Sequence, residues 1–212
     1  MRHAEVAYFD ANGEPFPYDV GLTATGEEQA RSAAAVLEGI AFDRVITSGM
    51  RRTLETARIV APNRDIESWS ELRELRPGSL DGTPDDDMKA EFTSVFAGSV
   101  PRETAFLAGE TIGSLVDRVV PALERLVADR AWDTALAILH GGVNRAILSY
   151  ALTGERRFLG GFEQAPACIN ILDVGDGAWI VRAVNHAPYD ALHGRDRSTT
   201  MEQLYSQYRQ SR

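Results

Sequence analysis

The sequence predicts an α/β protein of three layers, with a mostly parallel central sheet and helices on both faces. Two observations point there. Short apolar segments alternate with stretches of helical periodicity along the chain, the pattern of repeated strand–helix units. One of those segments, Thr134–Leu139, is almost continuously apolar, as a strand buried on both faces requires. The 212 residues are the length of one generous domain, and residues 1–212 are read as one.

The elements follow in order. Gly13, Pro15 and Pro17 make residues 10–21 a loop. A helix follows, with Thr25 and Glu28 at capping-box spacing, Ala30, Ala33, Ala34 and Leu37 on one face, and Gly39 as its stop. Asp43–Ser48 reads as a strand, Arg51–Val60 as a helix ended by Pro62, and Ile66–Trp69 as a second strand. Residues 71–109 are least regular; a helix starts in the acidic run Asp85, Asp86 and Asp87 and buries Met88, Phe92 and Phe96. Residues 111–129 form a long helix containing Pro121, and Asn144–Leu152 another behind His140-Gly141-Gly142. Residues 168–174 and 178–184 flank Gly175-Asp176-Gly177 as a hairpin, with Cys168 a small core residue, and Thr200–Tyr208 is a last helix.

Composition narrows the function. Hydrophobic residues at 44% and charged residues at 25% exclude disordered and collagen-like chains. A net charge of −9 gives no general attraction for nucleic acid or an anionic membrane, so any bound anion must meet a local basic pocket. Lys89 is the only lysine, and arginine's planar fork suits phosphate. Cys168 stands alone, so neither an internal disulfide nor a cysteine zinc cluster can form. No apolar run reaches the about 20 residues of a membrane helix and no signal-peptide core opens the chain, which together read as cytoplasmic.

Ligands of open α/β sheets bind outside the carboxyl ends of the strands. His140 ends a buried strand, and the two glycines after it open a helix whose free N–H groups suit an anion. His3 taken alone reads better as a frayed terminal residue than as a functional one. His186 and His193 lie in a polar stretch and read as surface or loop residues.

Taken together, the segments resemble a known family. Arg2-His3-Ala4-Glu5 is similar to the arginine–histidine signature of the histidine phosphatase superfamily, the phosphoglycerate-mutase-like proteins. Leu22-Thr23 with Gly26, Gln29 and Ala30 resembles the family's next helix start. Ser48 to Ala57 resembles its arginine-bearing helix and aligns Arg52, not Arg51, with the phosphate-binding arginine. Leu72-Arg73-Glu74-Leu75, with Gly78, Asp81 and Gly82, is similar to the acid segment, Gly109-Glu110-Thr111 to a later turn, and His140-Gly141-Gly142 to the second histidine motif.

The resemblance implies a metal-independent phosphomonoester hydrolase, with no cofactor, acting on a small phosphorylated metabolite. His3 becomes the nucleophile, forming a phosphohistidine, Glu74 the proton donor and then base, and His140 a further catalytic donor. Arg2, Arg52 and Gly141 become the phosphate ligands. Arg52 also reads as a surface residue paired with Glu55 or Glu74, and Glu71, Asp81 and Glu5 compete for the acid role. A phosphoglycerate-mutase-type phosphotransferase and a non-catalytic phosphate-binding scaffold are the alternatives; no extra lid beyond the insertion around 83–109 favours hydrolysis. Substrate choice is assigned to residues 8–20 and to that insertion, with Tyr8, Phe9, Phe16 and Tyr18 available as aromatic lining. Neither the physiological substrate nor the oligomeric state is legible. The family carries several apolar residues before its arginine–histidine pair where only Met1 stands here, so the first central strand reads as truncated and the true start as lying upstream.

Overall fold

The computed structural model describes residues 1–10, 18–78, 85–175, 177–194 and 198–210. Strand β1 (Arg44–Thr47) lies between β2 (Ile66–Ser68) and, further along the chain, a third parallel strand at Ala135–Ile138. Val45 stands opposite both Ile66 and Leu136. Successive side chains of β1 point to opposite faces. Val45 packs with Ala30, Ala33 and Ala57, whereas Ile46 packs with Leu115, Val119 and Val143.

Those two cores belong to two helical layers. One holds α1 (Ala24–Val36) and α2 (Arg51–Val60). After α3 (Asp85–Thr93), a 3-10 turn and the short β3 (Ser99–Val100), α4 (Ile112–Ala128) begins the opposite layer, capped by the Thr111 hydroxyl. The strand Ala135–Ile138, β4, feeds α5 (Gly141–Thr153), which packs against α4. β5 (Phe158–Leu159) pairs antiparallel with β3, and β6 (Ile169–Gly175) forms a hairpin with β7 (Ala178–His186). Helix α6 (Thr200–Gln210) lies against α3, with Phe92 between Tyr205 and Tyr208. The three-layer α/β expectation therefore matches. No helix among the described residues is long and apolar enough to cross a membrane.

The start of the chain occupies the far side of β4. The Met1 carbonyl accepts from Leu139 N–H and His3 N–H donates to the Leu139 carbonyl, both at 2.9 Å. On the other flank, Arg2 N–H donates to the Cys168 carbonyl and Ala167 N–H to the His3 carbonyl, both at 3.0 Å. One parallel bridge, Arg2 with Leu139, is the strand character these residues have.

Several local expectations need correction. The cap of α1 is Thr23, not Thr25: Thr23 is extended and its hydroxyl accepts from Gly26 N–H at 3.0 Å. Gly26 cannot carry a side chain, since a Cβ there would stand 2.2 Å from the Glu5 carbonyl oxygen. The helix ends at Leu37, with Gly39 beyond it in the left-handed region at φ +82°. Helix α5 starts at Gly141 rather than Asn144, because His140 itself is its extended N-cap. Met88 and Phe92 are buried as expected, but Phe96 is only half-buried, in the turn after α3. Strands β3 and β5 were not foreseen, being too short to show a period. Phe16, Asp81, Gly82 and the other calls at residues 11–17 and 79–84 lie outside the described residues.

Candidate active site

Each strand end delivers one polar group to the same place. Ser48 directly follows β1, and Arg52 stands on the first turn of the helix that comes next. His140 lies two residues past β4, as the N-cap of α5, and His3 follows the bridge residue Arg2 alongside. The two imidazoles meet edge to face with ring centroids 5.2 Å apart, both fully buried.

Backbone contacts set the protons. His3 Nδ1 lies 2.7 Å from the Ala4 carbonyl oxygen, which can only accept, so Nδ1 carries the hydrogen and Nε2 keeps a lone pair. Burial pushes the His3 pKa well below 6.5, and the Arg52 and Arg2 guanidiniums add to the shift. His140 is depressed in the same way, by burial first and then by Arg52, His3 and Arg2. Both rings are therefore neutral at pH 7. His140 Nε2 is 2.7 Å from Ser48 Oγ, itself 3.1 Å from Thr53 Oγ1.

The arginines are held but incompletely used. Arg52 is 1% exposed and donates one bond, at 3.0 Å, to the Tyr18 carbonyl. Neither Glu55 nor Glu74 pairs with it; Glu55 takes Arg51 instead. Arg2 Nη1 donates to the Gln164 carbonyl at 2.5 Å and to Thr200 Oγ1 at 3.1 Å. Arg2 Nε, Arg52 Nε and His140 Nδ1 are buried without a hydrogen-bond partner among the described residues. Orphaned buried polar atoms are rare and costly, so three in one pocket call for an explanation.

Glu74 forms one wall. Its carboxylate accepts from Leu75 N–H at 2.9 Å and from Gly142 N–H at 3.1 Å. A Cβ on Gly142 would come within 2.6 Å of Glu74 Oε1, so only glycine lets the carboxylate reach α5. A Cβ on Gly141 would stand 3.8 Å from both Arg2 Nε and Glu74 Oε2, which places that residue between the two. Arg118 fastens the segment: Nη1 donates to the Glu71 and Arg73 carbonyls at 2.6 Å, while Nε and Nη2 grip the Glu110 carboxylate. The rival acids point elsewhere. Glu71 pairs with Arg125, and Glu5 accepts from the Thr23 hydroxyl at 2.9 Å.

The structure thus gathers His3, His140, Arg2, Arg52, Glu74 and Gly141 into one pocket. His186 closes β7, and His193 Nε2 lies 2.9 Å from the Asn185 carbonyl. Among the described residues, no group of three His, Cys, Asp or Glu side chains is arranged to hold a metal ion. Sequence reasoning missed Ser48 beside His140 and the Gln164–Thr200 clasp on Arg2. Ser48 sits at a strand end, a usable signal; Thr200, 198 residues from Arg2, had none.

A parallel α/β sheet with two imidazoles and two guanidiniums at its strand ends defines an enzyme class that handles phosphoryl groups. The chain belongs to the histidine phosphatase superfamily (branch 1), whose sequence profile matches residues 1–187. It is 27% identical over 198 residues to the adenosylcobalamin/alpha-ribazole phosphatase of Salmonella typhimurium, covering 87% of this chain and 94% of that one. It is 30% identical over 162 residues to the probable phosphoglycerate mutase GpmB of Serratia proteamaculans, covering 72% and 73%. In fold it resembles the alpha-ribazole phosphatase of Shigella flexneri, with a TM-score of 0.67 and 21% identity over 87% of this chain and 94% of that one. A mycobacterial glucosyl-3-phosphoglycerate phosphatase in complex with inorganic phosphate gives 0.68 and 20%, over 88% and 95%.

Proposed function

We propose that this chain hydrolyses a phosphomonoester of a small metabolite through a phosphohistidine on His3. The observation that carries this is the set of orphaned nitrogens, Arg2 Nε, Arg52 Nε and His140 Nδ1, around the neutral His3 ring. A tetrahedral dianion supplies the acceptors they need, and two guanidiniums offset its charge.

His3 Nε2 attacks phosphorus as the bond to the leaving oxygen breaks, and the Glu74 carboxyl gives that oxygen its proton. His140 and the N–H of Gly141 at the start of α5 donate to the nonbridging oxygens. In the second half, Glu74 takes a proton from water, the water oxygen bonds to phosphorus, and the phosphorus–nitrogen bond breaks to release inorganic phosphate. His3 returns to its starting state, and no step requires a metal. Residues 1–212 act as one domain, with residues 8–20 and the segment around 83–109 choosing the organic group.

Turnover of p-nitrophenyl phosphate by the parent and His3→Ala tests this, together with acid treatment of the trapped intermediate. The variant is expected to lose at least about a thousandfold in kcat/KM. Label on the parent is expected to be lost in acid and kept in alkali, as a phosphohistidine requires. Equal turnover by His3→Ala, or a label stable to acid, overturns the assignment. Phosphate binding without turnover favours the scaffold reading, and transfer to an acceptor alcohol in preference to water favours the mutase reading.

A further inference from the structure

Tyr18 touches both halves of the pocket. Its carbonyl accepts from Arg52 Nη1 at 3.0 Å, and its ring lies 5.6 Å from the same guanidinium. Its hydroxyl points the other way, to the carbonyls of Glu74 at 3.0 Å and Leu75 at 3.1 Å. A phenol has one proton, so the two carbonyls share it. The residue is 40% exposed, standing where Arg52 and the Glu74 segment meet solvent. Burial, then the charge of Glu74, pushes the phenol up to about 12, so it keeps its proton across the physiological range.

The two contacts bear on different steps. In the proposed reaction Arg52 holds the phosphoryl group, whereas Glu74 exchanges protons first with the leaving oxygen and then with water. Glu74 is tied down at both ends: its carboxylate accepts from Leu75 and Gly142 N–H, and its carbonyl accepts from the Arg118 guanidinium at 3.3 Å and the Tyr18 hydroxyl. Arg118 grips the segment from the side of α4, and Tyr18 is the clamp from the side of Arg52. From this geometry we infer that Tyr18 is a positioning residue that sets Glu74 against the leaving oxygen of a phosphate held on Arg52. The inference rests on the proposed role of Glu74.

Its signature is a dependence on the leaving group. Nitrophenolate departs as a stable anion without a proton, whereas an alkoxide needs one in the transition state. The test compares kcat/KM for p-nitrophenyl phosphate and glycerol 2-phosphate in the parent, Tyr18→Phe, Tyr18→Leu and Glu74→Gln, with inhibition by inorganic phosphate measured in each. Glu74→Gln is expected to lose about a hundredfold more on the alkyl than on the aryl ester, and Tyr18→Phe about tenfold more. Tyr18→Phe keeps the ring and the carbonyl, so its phosphate inhibition constant stays within about twofold of the parent's, while Tyr18→Leu, lacking the ring over Arg52, raises it. A split in Glu74→Gln with none in Tyr18→Phe overturns the inference and leaves the proposed function standing. So does an equal loss on both esters, or a raised inhibition constant in Tyr18→Phe, since either marks a merely structural role. No split in Glu74→Gln removes Glu74 as the acid, and the inference falls with it.

Discussion

The floor of the pocket and its walls are built differently. The floor is His3, His140, Ser48 and Arg52, each at or just beyond the end of a sheet segment and each nearly or fully buried. The walls are Tyr18, the Glu74 segment and the clasp of Gln164 and Thr200 on Arg2, held by hydrogen bonds between distant stretches of chain. Floor geometry comes from backbone register, which a single side chain cannot alter. Wall geometry comes from individual bonds, each removable. Floor substitutions are therefore expected to act on the chemistry, and wall substitutions other than at Glu74 on alignment and affinity.

After His3→Ala, the largest expected effect is again in the floor. In the proposed reaction Arg52 grips the phosphate, so Arg52→Ala is expected to lower kcat/KM by about a hundredfold or more. The same substitution removes a charge that depresses both imidazoles, so their pKa values are expected to rise, measured by NMR titration. An unmoved titration would show that the Arg52 charge does not reach those rings.

Ser48→Ala comes next, with about a tenfold fall in kcat as His140 loses the partner of Nε2. An unchanged rate would show that the fold of α5 suffices to aim the ring.

A third effect appears in stability. Both rings resist protonation when folded but take protons near pH 6.5 when unfolded. The unfolded chain thus binds more protons below that point, so stability is full above pH 6.5 and falls as the pH drops. Between pH 6.5 and 5.5 the expected loss is about 1 kcal/mol per ring, read by urea unfolding. His3→Asn should abolish about half of that slope.

The smallest effect belongs to the wall. Thr200→Val leaves Arg2 its bond to Gln164 and is expected to raise the phosphate inhibition constant about two- to threefold, with kcat nearly unchanged. Thr200→Ser should restore it. A loss in kcat as large as that of Ser48→Ala would dissolve the distinction between floor and wall.

The same division explains what could be read from the sequence. Of the four basic groups, His140 alone carries local signals, a strand end and a pair of glycines; Arg2, His3 and Arg52 were legible only through the ordered resemblance to the family, since a residue near a chain start and an arginine on a helix look ordinary by themselves. The glycines after His140 misled on one point. Read as the approach to a helix beginning at Asn144, they instead lie in the first turn of α5, where Glu74 leaves no room for a side chain on Gly142. The Thr25–Glu28 spacing fits a capping box but says nothing of backbone angle, and it is Thr23 that takes the extended cap conformation. Glu74 was separable from Glu71 only by direction, which emerges once Arg118 and Arg125 take their places. Thr200, Gln164 and the clamp by Tyr18 had no local trace, since their partners lie 34 to 198 residues away.

The bond from Arg2 to Thr200 has a consequence for synthesis. Arg2 leaves the ribosome's catalytic centre 198 residues before its partner is added, so nascent protein carries that guanidinium without its clasp. The clasp on Arg2 is therefore complete only after α6 has emerged.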